Sequence, residues 1–113
     1  MNKKIRITVL KAEVDKELEK MYAVPGLGPC PWHQKGQVLY SDGIHRPENM
    51  CSVAWQFLAP FAESLSKGEL LQPSGTWLKD DSVCVAACPD GVRPVIFLME
   101  AIDPQNNTNT DME

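Results

Sequence analysis

Two apolar segments near the two ends of the sequence constrain the fold most. Residues 5–9 alternate apolar with polar side chains, which predicts a strand with one covered face. Residues 95–99 are apolar at every position, so both faces of this segment are apolar, which predicts an inner strand of the sheet. Pro94 cannot donate to a sheet ladder, so we expect it near the start of this last strand, residues 93–102. Both segments indicate a sheet as the centre of the fold.

The sequence between these segments predicts two further strands. One fits residues 35–40 and the other residues 82–87. The segment Cys88-Pro89-Asp90-Gly91 has proline and glycine where a type I turn favours them, so it should close a hairpin onto the last strand. A loop that contains Trp77 is expected at residues 72–81.

Two helical regions are also predicted. Asp15 is a suitable N-cap for a short helix at residues 16–22, whose apolar face would be Leu18, Met21 and Tyr22. A longer apolar stripe follows Pro47, and Pro60 lies inside it. Because a mid-helix proline removes a hydrogen bond, we expect two pieces, residues 50–59 and 60–66, the first capped by Asn49.

The element order β-α-β-α-β-β predicts an α+β fold. We expect a small, largely antiparallel sheet with helices packed on one face and a C-terminal β-hairpin. Residues 1–103 should form a single domain, and the polar residues 104–113 a disordered tail.

Composition excludes some classes of function. The formal charge is −4 and basic residues are scattered, so no basic face is expected for nucleic acid. No stretch approaches the roughly 20 apolar residues of a membrane helix, and no signal peptide is recognisable. We therefore expect a cytoplasmic protein whose four cysteines stay reduced, with neither membrane nor nucleic acid as a partner.

One of the four cysteines, Cys84, is predicted to be separate from the other three. Cys84 and Cys88 are four apart in a predicted strand, so their Cα atoms should lie about 14 Å apart, too far for one disulfide or one zinc ion. Cys84 is therefore predicted to be a buried apolar residue. Cys30 lies between two prolines, Cys51 at a predicted helix start, and Cys88 at a turn, all at element ends that can converge.

These three cysteines predict a metal or thiol site. Cys30 and His33 have a spacing that lets one ion take two ligands from one loop, so Cys30, His33, Cys51 and Cys88 form a candidate tetrahedral set. Three thiolates suit zinc, or an iron–sulfur cluster completed by His33 or an outside ligand. The alternatives are that each cysteine is only packing and that His33 is a surface loop residue.

Neighbouring residues have two interpretations each. Asp90 serves the turn, and Arg93 either pairs with Asp90 or, with it, contacts a bound cofactor or anion. The tryptophans are expected in the core, although Trp32 beside Cys30 would also suit the roof of a pocket.

Two other functions remain open besides a metal centre. In the first, Cys51 is the nucleophile of metal-free thiol redox chemistry and another cysteine resolves it. In the second, the protein is a non-enzymatic accessory or interaction module, and its apolar terminal strand supports a homo-oligomer through sheet pairing. No general acid–base pair stands out, so hydrolase and transferase activities are not favoured.

The motifs resemble a family of small, uncharacterised prokaryotic proteins that are common in anaerobes. The resemblance runs from about residue 3 to residue 102 and depends on a Gly-Pro-Cys segment, a Cys-Ser-x-Ala-Trp helix start and a Cys-x-Asp-Gly-x-Arg-Pro-Val-x-Phe hairpin. Here these are residues 28–30, 51–55 and 88–97. The resemblance implies no activity. It implies that the signature positions are Cys30, Cys51, Cys88, Asp90, Gly91, Arg93 and Pro94.

Overall fold

The protein is a four-stranded antiparallel sheet with two helices. The computed structural model describes residues 2–69, 78–79 and 82–102. Its elements are β1 (Lys4–Ala12), α1 (Lys16–Tyr22), β2 (Val38–Ser41), α2 (Ser52–Ser66), β3 (Val83–Ala87) and β4 (Val95–Ile102). The predicted α+β class and element order are confirmed. The predicted tail at residues 104–113 and most of the predicted loop at residues 72–81, including Trp77, lie outside the described residues.

Strand β4 lies inside the sheet, as predicted. The strand order is β2-β1-β4-β3, and β4 pairs antiparallel with β1 on one side and β3 on the other. The two central strands bury alternate side chains beneath α2, because successive side chains of a strand point to opposite faces of the sheet; the buried ones are Ile5, Ile7, Val9, Val95, Phe97 and Met99. Since both edges of β4 are already paired within the chain, this strand does not offer a free edge to a second chain, and a homo-oligomer stays a prediction.

Helix α2 is continuous, so the predicted break at Pro60 is wrong. The helix runs from Ser52 to Ser66 with Pro60 on its exposed side. Its buried stripe, which includes Leu58, Ala62 and Leu65, packs on the sheet. Burial of several apolar side chains outweighs the one backbone hydrogen bond that Pro60 cannot donate. The N-cap is Cys51, not Asn49.

Helix α1 has the predicted bounds and the predicted cap. The Asp15 carboxylate accepts a hydrogen bond from the Leu18 N–H at 3.0 Å. None of its residues is buried, and Tyr22 is 74% exposed, so the predicted apolar face does not pack against the core. The cap and the acidic residues of the first turn account for this helix locally.

Two loop segments differ from their predicted form. Strand β2 begins at Val38 rather than residue 35, and the Gln37 N–H bonds back to the Gln34 carbonyl at 3.0 Å in a turn that precedes the strand. The β3–β4 connection runs from residue 88 to residue 94 and is closed by the Cys88 N–H bonding to the Val95 carbonyl at 3.1 Å. It is therefore longer than the predicted four-residue turn, although the C-terminal hairpin itself is confirmed.

The part of the chain that the structure describes contains no helix both long enough and apolar enough to cross a membrane.

Candidate functional site

Cys30, Cys51 and Cys88 line one pocket at an end of the sheet. They come from three different segments: the loop before β2, the start of α2 and the β3–β4 connection. The pocket has a volume of about 360 Å³, and its remaining lining residues are Trp32, Val53, Ala54, Pro89, Asp90 and Arg93. The fold therefore brings together the three cysteines that the sequence grouped.

The loop that carries Cys30 is fixed at several points. The Gly28 N–H donates to the Glu19 carboxylate of α1 at 2.7 Å, and Gly28 has a φ of +71°, which glycine adopts without strain. Pro29 and Pro31 restrict the backbone on either side of Cys30. The Cys30 sulfur accepts a hydrogen bond from the Trp32 N–H at 3.4 Å. This sulfur therefore has a defined position at the pocket.

Cys51 is the N-cap residue of α2. Its side chain makes no capping hydrogen bond, so it does not satisfy the free N–H groups of the first helical turn. The N-terminal end of a helix carries partial positive charge, which stabilises a nearby anion. The Cys51 sulfur is thus adjacent to the positive end of α2. No acidic residue lies in the first turn of this helix.

Cys88 follows the last residue of β3. Its sulfur accepts a hydrogen bond from the Val95 N–H at 3.3 Å, while its own N–H bonds to the Val95 carbonyl. Two of the three pocket sulfurs therefore accept a backbone N–H, as sulfurs that bind metals commonly do.

His33 is buried, so the interpretation of it as a surface loop residue is wrong. Only 2% of its surface is exposed, and its ring packs edge-on against Phe97 with centroids 5.3 Å apart. Its Nε2 accepts a hydrogen bond from the Cys51 N–H at 3.2 Å. Its Nδ1 must therefore carry the proton and donate to the Gln37 side-chain oxygen at 2.8 Å.

Both ring nitrogens of His33 are thus engaged, and His33 does not line the pocket. Metal ligation by His33 stays a prediction, and ligation through Nε2 would break its hydrogen bond with the Cys51 N–H. In the present arrangement His33 instead ties the Cys30 loop to the start of α2. Sequence spacing alone did not reveal this role, because the Cys51 N–H that it bonds is 18 residues away.

Asp90 and Arg93 form a pair, as one of the two interpretations predicted. The Arg93 Nε donates to Asp90 Oδ2 at 2.8 Å, while Asp90 Oδ1 accepts the N–H groups of Val92 and Arg93. Partial burial acts to raise the pKa of Asp90, but these hydrogen bonds together with the guanidinium charge lower it below its ordinary value. Asp90 therefore serves the turn and fixes Arg93 at the pocket. Contact of either residue with a cofactor stays a prediction.

The tryptophans occupy different environments. Trp55 is buried in the core, as expected, whereas Trp32 is 66% exposed and borders the pocket next to Cys30. The core prediction for Trp32 is wrong, and its position agrees with the alternative of an aromatic wall. Val53 is also about half exposed, so the pocket opens beside an apolar rim.

Cys84 is separate from the pocket, as predicted. It lies on β3, is 2% exposed and belongs to the hydrophobic core. The burial of this cysteine makes it a useful reference position for experiments on the other three.

Metal binding itself remains a prediction. In the regions described, 2–69, 78–79 and 82–102, no group of three or more His, Cys, Asp or Glu side chains is placed to hold a metal ion. The three sulfurs nevertheless surround one pocket that has a cation, a helix N-terminus and two N–H···S hydrogen bonds. The thiolate is the metal-binding form of cysteine, and hydrogen bonds from N–H groups to the sulfurs are common in metal and cluster sites.

Comparisons with protein-family models, with curated proteins and with solved structures found no match to this chain. The resemblance drawn from the three sequence motifs therefore stays a prediction.

Proposed function

We propose that Cys30, Cys51 and Cys88 together bind an iron–sulfur cluster. The observation that carries the proposal is the convergence of three cysteines, from three segments distant in sequence, on one pocket. Each cysteine lies at the end of a regular element or in a loop, where small adjustments of the backbone cost little. Thiolates are the usual protein ligands of such clusters.

The size of the pocket supports a cluster in preference to a single zinc ion. One zinc ion requires its sulfurs at about 2.3 Å from a common centre. A cluster distributes its cysteine ligands over several iron atoms, so the sulfurs can stand further apart around a larger group. A volume of about 360 Å³ between the three cysteine-bearing segments leaves room for such a group.

The surroundings of the sulfurs offset the negative charge that three thiolates would bring. Backbone N–H groups donate to Cys30 and Cys88, the N-terminus of α2 lies at Cys51, and Arg93 lines the same pocket. Hydrogen bonds to the sulfurs and nearby positive charge are the factors through which proteins stabilise and tune these clusters.

Three cysteines leave one iron of a four-iron cluster without a cysteine ligand. His33 is committed to the Cys51 N–H and to Gln37, so an outside ligand is the simpler way to complete the set. The open side of the pocket beside Trp32 and Val53 offers an approach for such a ligand.

The test is anaerobic purification followed by measurement of iron, acid-labile sulfide and the visible absorption spectrum. The variants are Cys30→Ser, Cys51→Ser and Cys88→Ser. We expect iron and sulfide in the wild type and a loss of most of both in each variant. Cys84→Ala is the matched control, because it removes a thiol that does not line the pocket, and it should keep the cluster.

Wild-type protein without iron after anaerobic purification and chemical reconstitution would contradict the proposal. A stoichiometric amount of zinc and no iron would contradict the cluster and indicate a single-ion site on the same cysteines. Equal iron loss in Cys84→Ala and the three serine variants would show that the variants act through folding rather than through ligation.

The shared pocket also favours a second candidate, metal-free thiol redox chemistry. Cys51, at the helix N-terminus, would attack a disulfide substrate, form a mixed disulfide and release the first substrate thiol. Cys30 or Cys88 would then attack the Cys51 sulfur and release the second substrate thiol. Two chain thiols would lose two electrons and two protons, and the substrate disulfide would leave as two thiols. Mass spectrometry after treatment with oxidised glutathione should then find a disulfide that includes Cys51. Slow, equal modification of all four cysteines would exclude this candidate.

A further inference from the structure

The peptide group that precedes Cys51 is held on both sides by side chains. The Met50 carbonyl accepts a hydrogen bond from Arg46 Nη1, and the Cys51 N–H donates to His33 Nε2 at 3.2 Å. Because this carbonyl and this N–H belong to one planar peptide group, the two bonds together fix its orientation. On the other side of Cys51, its carbonyl accepts the Trp55 N–H at 3.0 Å. The backbone of Cys51 is thus fixed while its sulfur lines the pocket.

Gln37 keeps the His33 ring in the form that accepts this bond. In the other tautomer an Nε2–H would face the Cys51 N–H, and two donors would oppose each other. The Gln37 side-chain oxygen takes the Nδ1 proton at 2.8 Å. Gln37 itself is tied to β1, since its carbonyl accepts the Val9 N–H at 2.9 Å and the Gly36 N–H donates to the Val9 carbonyl at 2.8 Å.

The His33 ring is therefore fixed relative to the sheet on two sides. Gln37 connects it to β1, and its edge-on contact with Phe97 connects it to β4. Only 2% of His33 is exposed, so the ring has little freedom to move. Arg46, in contrast, is an exposed residue of the segment between β2 and α2. A buried and an exposed side chain thus hold the same peptide group from opposite sides.

We infer that His33 and Arg46 are positioning residues for the Cys51 sulfur, and that Gln37 keeps His33 in the accepting tautomer. Groups that orient a metal ligand commonly change metal affinity by about 10- to 100-fold when they are lost. The hold on the peptide depends only on the fold, whereas its effect on a bound cluster rests on the proposed function. While Nε2 holds the Cys51 N–H, His33 acts through Cys51 and not as a ligand itself.

The first measurement is nuclear magnetic resonance of reduced, cluster-free, ¹⁵N-labelled protein. Long-range proton–nitrogen correlations report which ring nitrogen of His33 carries the proton, and we expect Nδ1. Amide hydrogen exchange of Cys51 is then compared in His33→Gln and His33→Asn. Both variants lose the ring that packs on Phe97, but only glutamine is long enough to offer an oxygen near the position of Nε2. We expect Cys51 to exchange about three- to tenfold faster in His33→Asn than in His33→Gln.

A variant at the exposed side tests the inference without opening the core. Arg46→Met removes the donor to the Met50 carbonyl, and we expect faster exchange of the Cys51 amide. Arg46→Lys keeps a positive donor and should stay closer to the wild type. The matched controls are His45→Asn and Lys35→Met. Both change exposed residues that do not line the cysteine pocket, and both should leave the exchange of Cys51 unchanged.

The second measurement uses reconstituted protein and follows the release of iron to a chelator. We expect release about tenfold faster or more in His33→Asn, because Cys51 is no longer held in place. Arg46→Met should change in the same direction. His33→Gln should recover most of the wild-type behaviour, and His45→Asn should equal the wild type.

The two measurements separate this inference from the proposed function. A proton on Nε2 of His33 in the wild type, or unchanged Cys51 exchange in Arg46→Met, would overturn the inference. Equally fast iron release in His33→Gln and His33→Asn would also overturn it, because ligation by His33 predicts no rescue by glutamine. The expected exchange rates in a protein that binds no iron would sustain the positioning of Cys51 and reject the cluster.

Discussion

Gly43 is the residue whose substitution should disturb the fold most directly. It follows β2 with a φ of +94°, and a Cβ at this position would lie 2.5 Å from both Cβ and Oγ of Ser66. Ser66 is itself buried at the end of α2, and its hydroxyl donates to the Glu63 carbonyl at 2.7 Å. The close approach of this loop to α2 therefore requires glycine.

We expect Gly43→Ala to lower the free energy of unfolding by about 2–4 kcal/mol, from left-handed backbone strain and overlap with Ser66. Gly26→Ala is the control. Gly26 has a φ of +79° but no atom within 4 Å of a built Cβ, so it should lose only about 1 kcal/mol. Urea unfolding measures both. Equal losses in the two variants would mean that the contact with Ser66 contributes nothing.

Asp42 makes the folding stability of the protein depend on pH at low pH. The N–H of His45, the His45 imidazole and the N–H of Ile44 lower the pKa of Asp42 to about 2, from 3.8. Because the folded value lies below the unfolded one, the contribution to stability is complete above the unfolded pKa. It is lost as the pH falls through the folded pKa.

The stability difference between wild type and Asp42→Ala should therefore narrow as the pH falls between about pH 4 and pH 2. Denaturant unfolding at a series of pH values measures it. Asp42→Asn should lose the same pH dependence but keep part of the stability, since its side-chain oxygen still accepts the two N–H groups. A difference that stays constant down to pH 2 would be inconsistent with the lowered pKa.

At the level of elements, α2 shows the limit of local rules. Proline weakens a helix interior, and that rule predicted two pieces. The continuous helix depends on its buried stripe meeting β1, β3 and β4, which are contacts with distant parts of the sequence. By contrast, the bounds and the cap of α1 were predicted correctly, because its cap and its first-turn acids act within a few residues, whereas its predicted apolar face does not pack on the core.

Pro60→Ala should raise the free energy of unfolding by about 1–3 kcal/mol. The alanine restores the N–H that can bond within the helix, and the exposed position of Pro60 means that little packing is lost. The greater freedom of alanine in the unfolded chain reduces the gain. Thermal and urea unfolding test this. A destabilised variant would show that Pro60 makes a favourable contact or bend that exceeds the missing hydrogen bond.

The candidate site was predictable in part for the same reason. The sequence indicated which cysteines lie at element ends, that Cys84 is buried, and that Asp90 and Arg93 pair, because each depends on neighbours a few residues away. The burial of His33 and the exposure of Trp32 depend instead on how the loop before β2 lies against Phe97 and α2. No short-range pattern encodes that arrangement.

For the whole molecule, strand order predicts where the backbone is most stable. Strands β1 and β4 are paired on both sides and covered by α2, whereas β2 has only four residues and pairs with β1 alone among the described strands. Amide hydrogen exchange should be slowest at Ile7 and Phe97 and faster in β2, because an outer strand can open without disrupting the sheet. Equal protection in β2 and in the central strands would indicate a further contact along its outer edge.

The central pairing also has a consequence for biosynthesis. Arg6 and Glu100, which face each other on β1 and β4, are 94 positions apart in the chain. A nascent polypeptide leaving the ribosome therefore presents the apolar face of its first strand long before the matching strand is translated. Until then β1 has only the short β2 beside it, so this face is a natural substrate for chaperones, and folding should finish only after β4 has emerged.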